Sequence, residues 1–218
     1  MITPPFIPTL VRLGPLDAVA NRPFTAAEHS RADLAILEHM RARLRQTLAA
    51  SEIGIDQLAQ SGVHVQYGHD EGERMHRMII RDRAALAADA DLTVVGFFGE
   101  QRGKANPALL KDIDTELIQE FLQQRYVLSY SSLELADGNW GNLVILQHTD
   151  GIEHWRTSQR HAYAANELAP LYYARIRLHN GVLAGGLAAP RLTLRSTKYY
   201  DFEDGDLWRG IREGIVYE

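Results

Sequence analysis

Apolar residues at helical spacing after residue 25 predict one long helix. Thr25-Ala26-Ala27-Glu28 has the pattern of a capping box, in which the Thr and Glu side chains satisfy free amides of the first turn. Leu37, Met40, Leu44 and Leu48 then recur on one helical face. We therefore predict a helix from Thr25 to about Ala50. Residues 1–24 precede it as an extended, Pro-containing arm.

The pattern between residues 51 and 90 is less regular. Ile55 to Gln60 fits a short helix, and Val63 to Tyr67 alternates like a brief strand. Met75 to Ala88 fits either element, and we favour a helix there. Residues 1–90 are therefore predicted as an arm followed by a mostly helical N-terminal region.

The pattern becomes clearer after residue 90 and predicts a second region over residues 91–218. The predicted elements are a strand at Leu92 to Phe98, a helix from Asn106-Pro107, a hairpin of Tyr126 to Leu135 and Leu143 to Gln147 around the turn Asp137 to Gly141, a helix from Asp150 to about Ala165, and a final strand at Leu192 to Tyr199.

Residues 171–180 admit two interpretations. Pro170 near a helix start and Gly181 after a helix end favour a helix. As a strand, the same residues would place Arg175, Arg177 and His179 on one side. Asn180-Gly181 would then form a hairpin turn. Both interpretations stay open at this stage.

The element order predicts an α+β protein with a ferredoxin-like βαββαβ domain over residues 91–218. This order, with Trp155 and His161 on one predicted helix, resembles the dimeric α/β-barrel superfamily, which includes antibiotic-biosynthesis-type and heme-degrading monooxygenases. The resemblance implies a homodimer that pairs through its sheets, with a cleft between each sheet and its helices. The Asn that heme-degrading members carry on the first strand has no counterpart in Leu92 to Phe98.

Composition and charge exclude several classes of function. The chain of 218 residues has no Cys, which excludes disulfides and thiolate chemistry, and a net charge of −5 argues against coating nucleic acid or anionic membrane. Pro4, Pro5 and Pro8 interrupt the apolar start, so we expect no signal peptide. No apolar run approaches the ~20 residues of a membrane span. A cytoplasmic location is the expectation.

Candidate chemistry centres on the predicted helix that contains His161. His161 would act as a base or an iron ligand, with Ser158 within reach of it. If the protein is an enzyme, Trp155 and Tyr130 would shape the same pocket, and Arg175 would hold an acidic group there. His154 and His161 lie two turns apart, or about 10 Å along a helix, too far to share one metal ion. No metal site is therefore predicted.

Each candidate also has a purely structural interpretation. His161 fits a hydrogen-bonded contact, Trp155 fits a core anchor, and Arg175 fits an ion pair with the acidic stretch that includes Glu203. Two functions follow from these alternatives. One is a small-molecule binding protein with monooxygenase-like activity in a helix–sheet cleft, with heme or an aromatic compound as its ligand. The other is a non-catalytic dimeric binding or assembly protein with no open active site.

Overall fold

One continuous β-sheet organises the protein. The structure, a computed structural model, describes residues 9–50, 56–58, 63–69, 74–103, 121, 124–203 and 207–214, without the side chains of 56–58, 63–67 and 155–156. The strands are β1 (Leu10–Leu13), β2 (Asp56–Leu58), β3 (Val63–His69), β4 (Met75–Ile80), β5 (Leu92–Gln101), β6 (Val127–Glu134), β7 (Trp140–Leu146), β8 (Tyr173–Leu183), β9 (Thr193–Asp201) and β10 (Trp208–Glu213). The ten strands follow the spatial order β1-β10-β9-β8-β5-β7-β6-β4-β3-β2. Neighbours are antiparallel, except that β1 runs parallel to β10.

The helices with described bounds are one long helix and several short ones. They are α1 (Ala27–Ala49), α2 (Arg83–Ala87), α3 (Asp150–Arg156), α4 (Gln159–Tyr163) and α5 (Ala169–Tyr172), with a 3₁₀ turn (Pro23–Thr25) before α1 and a π-helical turn (Ala164–Leu168) between α4 and α5. Within the described ranges, no helix has the length and apolar character needed to cross a membrane.

The helix α1 covers one face of the sheet because its apolar stripe meets a matching apolar surface. Leu37, Met40 and Leu44 are fully buried against it. Each such side chain contributes about 1.5–3 kcal/mol on burial. Gly96 of β5 allows this close approach, since a Cβ at that position would lie 2.7 Å from the Leu37 Cδ1 atom.

The opposite face of the sheet carries a second, smaller cluster. Its buried members come from β6, β7 and the helical residue 121, and they are Phe121, Val127, Val144 and Leu146. Val95, Tyr130 and Ile152 pack against them and stay partly exposed. The central strands are therefore apolar on both sides, as expected for strands with cover on both faces.

The predicted fold class is wrong. A ferredoxin-like βαββαβ domain of the dimeric α/β-barrel type, preceded by a mostly helical N-terminal region, does not describe this molecule. The protein is mostly β, and strands from both sides of residue 90 belong to the same sheet. Residues 1–90 supply four of its strands, β1 to β4, in addition to α1.

Two predicted helices, and a segment left open between helix and strand, account for most of this error. Residues 55–60 contain β2, Met75 to Ala88 divides into β4 and α2, and 171–180 belongs mainly to β8. The strand β4 does not alternate, because both Ile79 and Ile80 are buried. The strand β8 buries Arg177 and His179 on the α1 face and Ala174 and Ile176 on the other face, so its polar and apolar residues do not separate into an outer and an inner face. Asn180 and Gly181 continue β8 through a bulge and form no hairpin turn.

Other predictions are confirmed by the structure. The helix α1, the strands β5 and β9 and the β6–β7 hairpin lie where the pattern indicates. The capping box is wrong, because the Thr25 hydroxyl donates to the Arg22 carbonyl and accepts from the Val19 amide. The helix predicted from Asp150 is interrupted between α3 and α4. The helix predicted from Asn106 lies outside the described residues, apart from the helical Phe121. The homodimer stays a prediction.

Two buried serines give a test of polar burial. Ser131 lies opposite Met78 and Leu143 in the core, and its hydroxyl has no hydrogen-bond partner among the described residues. Ser131→Ala should therefore leave the free energy of unfolding unchanged or raise it. The matched change Ser30→Ala removes the 3.2 Å bond to the Tyr199 hydroxyl and should cost about 1 kcal/mol. Urea unfolding of both variants measures the difference, and a larger loss for Ser131→Ala would contradict this account.

Candidate functional site

A buried carboxylate joins α1 to β8. The Arg177 guanidinium donates to both oxygens of Asp33, from Nε at 2.6 Å and from Nη2 at 3.1 Å. His179 Nε2 lies 2.9 Å from Asp33 Oδ2, and His179 Nδ1 lies 2.8 Å from the Thr197 hydroxyl. An ionised carboxylate only accepts hydrogen bonds, so Nε2 of His179 is the donor to Asp33.

Burial and hydrogen bonding act against each other on the Asp33 carboxyl. Burial alone would raise the Asp33 pKa, but the hydrogen bonds and charges of His179 and Arg177 outweigh it and hold the pKa below its ordinary value. Burial likewise opposes the charge of Arg177, and the contacts with Asp33 and Glu100 outweigh it, which raises the Arg177 pKa. Both groups are therefore charged in the folded protein.

Thr197, His179 and Asp33 have the order of a hydroxyl–imidazole–carboxylate triad. His179 and Thr197 are completely buried, and Asp33 is 3% exposed. A catalytic hydroxyl must be reachable by its substrate, and Asp33 is also held by Arg177. The arrangement therefore ties a helix to two strands and does not form an active site.

Ion pairs continue from this cluster to the end of the sheet. Arg177 Nη1 donates to Glu100 at 3.0 Å, and Arg175 Nη1 donates to the other Glu100 oxygen at 3.3 Å. The second amino group of Arg175 donates to Glu203. Alternating charges thus run from Asp33 inside the protein to Glu203 at its surface.

Three arginines hold the turn that follows β9. Arg22 pairs with Asp201 at 3.2 Å, Arg175 pairs with Glu203, and Arg102 donates to the Phe202 carbonyl. The Glu203 amide also donates to Asp201 Oδ1 at 3.0 Å. The backbone of this turn is therefore fixed from both sides.

An open cleft of about 400 Å³ lies between this turn and the helical segment that contains α4 and α5. Its lining among the described residues is half polar and half apolar: Arg102, Asn166, Pro170, Phe202, Glu203 and Leu207. Asn166 belongs to the π-helical turn, a feature that is often found at functional sites. The cleft size falls within the range of small-molecule sites.

Arg102 connects the two walls of the cleft. Its Nε donates to the carbonyls of Pro170 at 3.0 Å and Tyr173 at 3.2 Å, while Nη2 donates to the Phe202 carbonyl. One guanidinium thus fixes the start of α5, the start of β8 and the end of β9 relative to each other.

The predicted site residues do not form one pocket. Ser158 caps α4, and its hydroxyl accepts from the backbone amide of His161 at 3.3 Å. His161 is half-buried and does not line the cleft. Trp155 belongs to α3, with its side chain outside the described part of the structure.

Tyr130 and Arg175 lie on opposite faces of the sheet. Tyr130 shares its face with Val144 and donates to Asn142 Oδ1 at 3.1 Å. Arg175 lies on the face of α1, where Glu100 and Glu203 occupy its guanidinium. The contact with Glu203 agrees with the ion-pair interpretation of Arg175. The binding and catalytic roles of the five residues stay predictions.

Sequence reasoning missed the residues that build the network and the cleft. Asp33 and Arg177 are 144 positions apart, so no local pattern connects them. The alternation of Arg175, Arg177 and His179 was visible, but only the strand interpretation puts them on one face. Arg102 and Phe202 each follow a strand directly, at the end of β5 and of β9, where side chains commonly form binding sites.

The described residues contain no group of three or more His, Asp or Glu side chains close enough to hold a metal ion. Comparison of the chain with protein-family models, with curated proteins and with solved structures gives no match.

Asp33 gives the network a measurable pH dependence. Because its folded pKa is lowered, its contribution to stability is complete above the unfolded value and is lost as the pH falls below about 4. Asp33→Asn should cost about 3–5 kcal/mol near neutral pH, since it removes the buried charge that accepts from Nε and Nη2 of Arg177 and leaves Glu100 as the remaining carboxylate partner. Urea unfolding at several pH values should show a flatter acid slope for this variant.

Asp150→Asn is the matched control, because the Asp150 side chain is 83% exposed. It should change the free energy of unfolding by less than about 0.5 kcal/mol and keep the acid slope of the parent protein. Equal slopes for Asp33→Asn and the parent would contradict the role given to Asp33.

Proposed function

We propose that the protein binds a small molecule in the cleft beside Arg102. The cleft combines the apolar side chains Pro170, Phe202 and Leu207 with the polar side chains Arg102, Asn166 and Glu203, so both parts of an amphipathic organic ligand would find contacts there. Its volume of about 400 Å³ suits a ligand of modest size.

The observation that carries this proposal is the fixed geometry of the cleft walls. Arg22, Arg102 and Arg175 converge on the three residues Asp201 to Glu203. These contacts hold the residues at the end of β9 in one position. Rigid walls lower the ordering cost of binding, so this arrangement favours a binding site.

Heme does not fit the residues that line this cleft. An iron porphyrin needs an axial ligand such as His, Cys, Met or Tyr. The lining side chains among the described residues include none of these. The proposal for this cleft is therefore binding of an organic ligand. An iron-ligand role for His161 is a separate prediction, which a heme titration of the parent protein and His161→Ala tests by absorbance.

Amide chemical shifts can test the proposal with a set of aromatic acids, amines and neutral fragments. Fragments that bind should shift the amide signals of Arg102, Asn166, Phe202 and Leu207 as a group. Leu207→Asp should weaken binding of the neutral fragments about fivefold, because it removes apolar contact area from the cleft.

Leu10→Asp is the control variant, since Leu10 is an exposed residue of the edge strand β1 and is 42% exposed. It should leave fragment binding unchanged. If no fragment of any charge shifts the cleft signals, or if Leu207→Asp and Leu10→Asp behave alike, the protein does not use this cleft as a binding site.

A further inference from the structure

The two charged side chains that line the cleft, Arg102 and Glu203, differ in their partners. Glu203 pairs with Arg175, which also pairs with Glu100. Arg102 has no carboxylate partner among the described residues, where its hydrogen bonds all go to main-chain carbonyls. Among the described residues, the partly buried Arg102 guanidinium therefore has no counter-ion, and its positive charge favours an anionic ligand.

The geometry of Arg102 leaves one part of the guanidinium available. Nε is shared between two carbonyls and Nη2 is held by a third. Nη1 has no partner among the described residues and is accessible to solvent. Its two N–H groups are thus held in place by bonds made elsewhere on the same planar group. Such a donor loses little conformational entropy when it binds an oxygen.

The remaining lining residues indicate the chemical character of the rest of the ligand. Pro170, Phe202 and Leu207 offer apolar contact, and the Phe202 ring lies parallel to that of Tyr200 with centroids 6.5 Å apart. Asn166, which is exposed, adds an amide that can donate to a second oxygen. The carboxylate of Glu203 at the rim disfavours a dianion such as a phosphate monoester.

We propose that the ligand is a small organic carboxylate with an apolar or aromatic body. Its carboxylate accepts from Arg102 Nη1 and the Asn166 amide, and its body lies against Phe202, Pro170 and Leu207. This inference rests on the proposed function and adds the chemical class of the ligand. The carboxylate takes the position of counter-ion that no described side chain fills.

A pair of isosteric probes tests the class of ligand. Phenylacetate and phenylacetamide differ in charge and hardly in shape, so we expect the acid to bind at least about fivefold more tightly, with its advantage falling at high ionic strength. Chemical-shift titration of the full chain measures both affinities. Equal affinities at the cleft would overturn the carboxylate assignment and leave the small-molecule site intact.

Charge variants at the exposed Asn166 change the charge of the cleft and leave Arg102 in place, whose hydrogen bonds hold the cleft walls together. Asn166→Asp should lower the acid-to-amide affinity ratio about fivefold, and Asn166→Lys should raise it by a similar factor. Leu10→Asp adds the same charge as Asn166→Asp at the outer edge of β1 and should leave the ratio unchanged. Ratios that do not respond to Asn166, or that respond equally to Leu10, would overturn the inference. If fragments of other charge classes still shift the cleft signals, the proposed small-molecule site stands even though the carboxylate inference fails.

Discussion

The ion pair between Asp33 and Arg177 is the contact on which the polar half of this structure depends. It buries two opposite charges where α1 crosses β8. His179 donates to the same carboxylate and is itself hydrogen-bonded to the Thr197 hydroxyl. A buried pair of this kind stabilises a fold only when every charge has a partner. Its main effect is to specify one position of α1 on the sheet, because a shifted helix would leave Nε and Nη2 of Arg177 without acceptors and keep only the Nη1 contact with Glu100.

The same helix therefore uses two kinds of contact along its length. Its later turns bury Leu37, Met40 and Leu44 over the central strands, and its first turns place Ser30 and Asp33 over β8 and β9. Apolar packing stabilises the position of the helix but does not require one orientation, whereas the ion pair forms only in one geometry. The face of the sheet below α1 likewise has an apolar part and a charged part. The charged part extends to the cleft through the ion pairs of Glu100, Arg175 and Glu203.

The sequence predicted those elements whose apolar residues follow one period or form one continuous run. This holds for α1 and for the strands β5, β6, β7 and β9. It left β8 undecided between helix and strand, because the buried Arg177 and His179 interrupt its apolar pattern. No reasoning from local spacing identifies their partners, since Asp33 lies 144 residues away from Arg177. The cleft was missed for the same reason, because its lining comes from four separate segments. The helix–sheet pocket around His161 was inferred from one helix and from a fold class that the sheet contradicts.

The parallel pairing of β1 with β10 has a consequence for the folding rate. The Arg212 guanidinium, fully buried, donates to the carbonyl of Gly14, 198 residues earlier in the chain, and to that of Thr25, 187 residues earlier. Contacts with such separation require the chain to close a very long loop before they form. Proteins rich in them fold slowly compared with helical proteins of similar stability. The arm from residue 9 to residue 25 is therefore expected to dock late in folding, after β8, β9 and β10 have assembled.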